Sequence, residues 1–366
     1  MMTRRTLLAC LVTLSLTAFA QADQGNPKLK SIEKISFGPD GLLLIGDSKG
    51  SQIVTVETGD LKETTWTKTE IADIDQLLAG KLGLMASDIQ ILKVAVNPAS
   101  RKAYVAVRSM KSKQDILLTV DGTGKIEEFS LENVKFSRYP LAVNDKAITT
   151  ITDITWAGDR VLAAVQASDK FAARIFLILP NAKDGATCYS TDTYHVAHSR
   201  WETNAPIRTI IPYEENGKKF LVGAFTCTPI VKYSLDEMQP NAMVKGSSIV
   251  ELGSGNTPRD MFTYEKGGKK YILINTFRFQ HKQNPVGPSP YWASRVDYDL
   301  LKETENVNAK ALWRIKGKAS VDVTDRAVVA KDYFGVHHMS KLDNERALAI
   351  RENDTKGFDL RVLQLP

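Results

Sequence analysis

Residues 94–107 read VAVNPASRKAYVAV, two apolar runs separated by the polar turn NPASRK. Val, Ala and Tyr in short runs suit a half-buried strand, whereas Asn97-Pro98 starts a turn because proline cannot continue a strand ladder. The stretch therefore predicts a β-hairpin. The same plan recurs in ISFGPDGLLLIGD (35–47), ITWAGDRVLAAV (154–165), IIPYEENGKKFLVGAF (210–225), MFTYEKGGKKYILIN (261–275) and MSKLDNERALAI (339–350). Each hairpin is followed by further strand signal, such as SQIVTV (51–56) or PIVKYSL (229–235).

Six units of this length in one chain predict an all-β fold, a single β-propeller of six blades. A seventh blade is the alternative if residues 311–329, ALWRIKGKASVDVTDRAVV, form one, and two β-sandwiches are the other way to pack so many short strands. The terminal strands KLKSIEKI (28–35) and FDLRVLQLP (358–366) are expected to complete one blade together and close the ring. Helical spacing is clearest in IDQLLAGKLGLMASDIQ (74–90).

VNPASRKAYVAV (96–107) resembles the YVTN-type repeat of exported propellers, and FGPDGLLLIGD (37–47) resembles the turn of NHL and gluconolactonase-type propellers. The order VAVNPAS, PIRTIIPY, FTCTPIVKYSL and DLRVLQLP is similar to that of an exported bacterial propeller group of uncharacterised function. The resemblance implies architecture and export. Gluconolactonase-type propellers hold a metal with carboxylates and amides at inner-strand ends. Here Asp153 and Asp260 alone match, beside lysines and arginines that repel a divalent ion.

Residues 1–22 combine a basic start, an apolar run and small residues ending AFAQA, the pattern of a cleaved export signal, which leaves 23–366 as the propeller domain. Thr3-Arg4-Arg5-Thr6-Leu7-Leu8 partly matches the twin-arginine pattern, so both the general and the twin-arginine routes stand. Export places the mature chain in the periplasm or outside the cell, with no membrane span. Losing Arg4 and Arg5 lowers the formal net charge from +6 to +4, and no basic stripe interleaved with aromatics points to nucleic acid. Cys188 and Cys227 are expected to form a disulfide, and CxxCH and CxxC are absent.

Aligning the six units puts Lys34, Lys93, Asp153, Arg208, Arg259 with Asp260, and His338 with His337 at the start of the innermost strand. Those starts meet at the central channel of a propeller. The ring is biased toward cations, which suits a small anion such as a carboxylate or phosphate. His337 and His338 are the first metal-ligating candidates, and His195 and His198 in YHVAHSRWETNAPIRT (194–209) the second. Residues three apart on a strand face opposite ways, so the second pair is expected to be split, with Arg208 the channel residue of that stretch; the alternative is a turn at Ala197, which would swing His198 with Arg200 and Glu202 onto the face that carries Arg208. Any ion held by these imidazoles would be copper, iron or zinc. Lacking GxSxG, HExxH and P-loop motifs, the chain reads as an exported binding or scaffold protein for a small anionic ligand or a periplasmic protein partner. The alternative is a metal-dependent hydrolase of lactonase type or a redox protein acting at the channel mouth.

Overall fold

The computed structural model describes residues 22–143, 146–168, 172–180, 186–202, 204–226, 229–239, 242–253, 255–282, 287–311 and 326–366. The export segment up to residue 21, Cys227, and residues 312–325 of the stretch considered for a seventh blade lie outside them.

Six strands begin the repeated units: β1 (Lys34–Phe37), β2 (Ile89–Val96), β3 (Thr150–Ala157), β4 (Ile207–Glu215), β5 (Asn256–Lys266) and β6 (Val336–Lys341). Each opens an antiparallel hairpin with the strand that follows it. The sheets starting at β1, β2, β5 and β6 stand as separate blades of four or five strands. The sheets starting at β3 and β4 form one path of eight strands, because their outermost strands, Ala186–His195 and Met243–Glu251, pair in parallel. Gly246 sits at that seam, where an added Cβ would lie 2.3 Å from Val231 and 2.5 Å from Tyr233. Only glycine lets the buried Tyr233 ring cross there, and its hydroxyl hydrogen-bonds to Thr193.

The fold is a propeller arrangement, and its strand order has a transposition. β1 packs against β2 and β3, β2 against β6, β6 against β5, β5 against β4, and β4 against β3. The chain leaves the β1 sheet, builds the β2 sheet on one side, and returns with Val134–Pro140 to add a strand to the first sheet. It then starts β3 on the other side.

The expected closure by the two termini is corrected. The C-terminal strand Phe358–Gln364 pairs with Glu70–Ile71, a segment between β1 and β2, while Asp23–Gly25 pairs with Val134–Pro140. Residues 66–78 close the gap because their apolar side chains fill it: Trp66, Ile71, Ile74 and Leu78 pack with Val94, Leu348 and Leu360. Burying each of these is worth about 1.5–3 kcal/mol, more than the exposed Asp23 and Gln24 and the side-chain-free Gly25 supply. The only α-helix among the described residues is Ile74–Lys81, shorter than the sequence pattern, and Gly83 at φ +68 follows its end. Ala327–Ala330, at the end of the proposed seventh unit, is the outer strand of the β5 sheet. No described helix is long and apolar enough to cross a membrane.

Candidate functional site

A β-bulge shapes the channel. In five of the six inner strands the pairing with the second strand skips one residue: Leu92, Thr152, Arg208, Arg259 and His337. The residue after each skip is the one aimed inward, because a bulge re-aims the side chains that follow it. The structural ring is therefore Lys34, Lys93, Asp153, Thr209, Asp260 and His338, opposite Gly46, Ala106, Ala164, Ala224, Asn275 and Ile350 respectively. Arg208 and Arg259 are corrected by one position to bulge residues, and Thr209 replaces Arg208 in the ring.

Most of this ring is neutralised from within. Lys93 is hydrogen-bonded to Asp260 and lies 4.0 Å from Asp153, all three being less than 10% exposed. Asp153 accepts from Thr209 Oγ1 at 2.8 Å and from the Ile210 amide at 2.9 Å. Asp260 accepts from the Met339 amide at 3.0 Å, and the side chain of Asn275 accepts from its own amide. These bonds tie β3 to β4, and β5 to β6 and β2. Burial opposes ionisation of Asp260, yet Lys93 and then His338 hold it far below the usual carboxylate range. Burial likewise opposes the charge on Lys93, and Asp260 and Asp153 outweigh it to raise the ammonium.

Arg259 donates from Nε to the His337 carbonyl at 2.7 Å and from Nη2 to His338 Nε2 at 3.0 Å. That assigns the His338 proton to Nδ1, on the side of Asp260. Burial drives His338 down to about 4, so the ring is neutral at physiological pH. His337 points elsewhere. It meets Glu352 at 2.8 Å and stacks on Tyr291 at 3.5 Å between centroids, so the two adjacent histidines do not converge. Arg208 donates to Thr226 Oγ1 at 2.7 Å, and burial lowers its guanidinium.

Lys34 is the exception. Its ammonium feels Lys93, Asp153, Asp260 and Arg259, yet it makes no hydrogen bond or ion pair among the described residues. Burial, reinforced by Lys93, lowers it to about 8.

Beyond the ring the channel widens into a cavity of 520 Å³. Lys93, Asp153, Thr209 and Asp260 form one end, and Phe37, Ile211, Phe262 and Leu342 contribute apolar wall. Arg101, Lys341 and Asp343 lie toward the strand ends. Both the volume and the mix of apolar wall with few polar groups suit a small organic ligand.

A second constellation lies on the outer strand Ala186–His195. The chain leaves that strand through a 3-10 turn at Val196–His198 and returns as Arg200–Glu202, pairing Thr193 with Glu202 and His195 with Arg200. His195 and His198 are thus brought together, against the expected split, with ring centroids 5.1 Å apart. Glu202 lies 3.0 Å from Nδ1 of each. The sequence favours the split over a turn at Ala197 because VAH carries no Gly, Pro, Asn or Asp to mark a turn, and the structure takes the turn. Cys188 lies on the same strand opposite Phe176.

No protein-family model matches the chain, and no curated protein matches its sequence. Solved structures that it is similar to include the extracellular domains 1–2 of Drosophila semaphorin 1a, at 10% identity and TM-score 0.41 over 94% of this chain and 88% of that one. A Pseudomonas brassicacearum lignostilbene dioxygenase aligns at 8% identity and TM-score 0.41, over 91% and 69% of the two chains. A streptogramin B lyase aligns at 10% identity and TM-score 0.31, over 94% and 97%.

Proposed function

We propose that the chain is an exported, non-catalytic binding propeller of six blades that holds a small organic carboxylate at its channel ring, beside Lys34, rather than deep in the cavity that Lys93, Asp153, Thr209 and Asp260 bound. The six-blade reading treats the eight-strand path as two blades joined at their outer strands. The observation that carries the ligand assignment is Lys34, a half-buried cation that makes no hydrogen bond or ion pair among the described residues while its neighbours neutralise one another. The cluster holds three cations, Lys34, Lys93 and Arg259, against the two carboxylates of Asp153 and Asp260. A charge partly withdrawn from water and left uncompensated lowers stability, and such charges concentrate where a ligand supplies the counter-charge. Arg208 lies one residue before the ring in β4, where it donates to Thr226.

The test is thermal unfolding of the mature protein against a panel of short aliphatic and aromatic carboxylates, with the matching amides as controls. At least one carboxylate raises the melting temperature while its amide does not, and Lys34→Met removes the rise. A panel in which no carboxylate acts, or in which Lys34→Met responds like the unaltered protein, overturns the reading.

A further inference from the structure

The hairpin at residues 193–202 carries a site separate from the channel. His195 is 1% exposed, and neither of its ring nitrogens makes a hydrogen bond. Leaving a buried polar group unmatched costs about 1–3 kcal/mol, so a buried imidazole without a partner calls for one. Glu202 Oε2 is 3.0 Å from His195 Nδ1 but lacks hydrogen-bond alignment. Two ligands of one metal stand in that relation, each aimed at a shared point rather than at the other. Metal bonds of about 2.0–2.1 Å at a tetrahedral angle set ligand atoms about 3.3 Å apart.

His198 completes the set. Its Nδ1 hydrogen-bonds to Glu202 Oε1 at 3.0 Å, a contact that the ion would replace, and the ligand atoms of His195, His198 and Glu202 all lie within 4.8 Å of one another. We propose that His195, His198 and Glu202 bind one zinc-type divalent ion, with the fourth position open to water. Two imidazoles and a carboxylate match the nitrogen and oxygen preference of zinc. His198 is 44% exposed at its side chain, which leaves the ion an entry path.

The surroundings hold these ligands in place. The Glu251 carboxylate accepts from the Ala197 amide at 3.0 and 3.2 Å and anchors the turn. Arg200 Nε donates to Glu202 Oε1 at 2.7 Å from the solvent side, the kind of outer hydrogen bond that orients a ligating carboxylate. Burial keeps the His195 ring neutral, the form that coordinates. Burial opposes charge on Glu202, and the hydrogen bond from Arg200 leads the contacts that keep it ionised.

The experiment uses the untagged mature protein dialysed against zinc, followed by metal analysis, with cobalt as a spectroscopic probe. One equivalent of zinc is retained, and cobalt gives the intense visible bands of a tetrahedral nitrogen and oxygen site. His198→Ala and Glu202→Gln keep the native circular dichroism and each weaken binding by about 100-fold or more. Less than a tenth of an equivalent of zinc on the unaltered protein overturns the proposal. So does stoichiometric binding that neither substitution weakens.

Discussion

Replacing Lys34 with methionine should stabilise the protein, and the gain should vanish at high pH. The lysine falls from its ordinary value of 10.5 to about 8, chiefly through burial and then through repulsion from Lys93. At 1.36 kcal/mol per pH unit, charging it in the folded state costs about 3 kcal/mol. Below pH 8 both folded and unfolded chains hold the proton, and the whole cost weighs on the fold. Between 8 and 10.5 the unfolded chain keeps a proton that the folded chain has released, so this group's contribution to stability rises with pH. Lys34→Met should therefore gain about 3 kcal/mol at pH 7 and only about 1 kcal/mol at pH 9.5. Urea unfolding of both proteins at the two pH values, followed by tryptophan fluorescence, measures the difference, in which all other titrating groups cancel. A Lys34→Met protein less stable than the parent, or equally changed at both pH values, refutes the reasoning.

Other substitutions probe the rest of the account. Asp260→Asn strips the buried Lys93 of its hydrogen-bonded counter-ion and should lower stability by about 3–5 kcal/mol in urea unfolding; a loss under 1 kcal/mol would show that Asp153 alone satisfies the lysine. Arg278, 5% exposed and with Nε and Nη1 lacking hydrogen bonds, should tolerate methionine with a gain in melting temperature, and a fall would reveal an unseen partner. Gly122 receives the strap that leads to Glu70–Ile71, its carbonyl accepting from Thr67 and Lys68. A Cβ there would lie 2.1 Å from the Thr65 carbonyl oxygen, so Gly122→Ala should cost about 2 kcal/mol or more and speed amide exchange at Ile71. Unchanged exchange at Ile71 would argue that the strap does not hold the closing strand.

The repeated hairpins were legible because each turn is marked by proline, glycine, asparagine or aspartate between runs of buried residues. The order of the units around the ring was not, since it depends on which inner strands pack, as β2 does against β6 at opposite ends of the chain. A two-residue closing strand, Glu70–Ile71, offers no alternation to read. At the site, Lys34, Lys93, Asp153, Asp260 and His338 were found from alignment with the apolar residues that follow them. The alignment points to Arg208 where the structure has Thr209, because a bulge adds one residue with no mark in composition. For the histidines, the sequence leaves a continuous strand and a turn at Ala197 both open, and the Glu251 carboxylate, far along the chain, is what holds the turn.

The central claim is that Lys34 awaits an anionic ligand, and proton uptake on binding tests it most directly. Titration calorimetry at pH 8.5 with the most stabilising carboxylate, in two buffers of different ionisation enthalpy, should show uptake of up to about three quarters of a proton, abolished in Lys34→Met. Binding heats that are the same in both buffers, or an equal uptake by Lys34→Met, would contradict it.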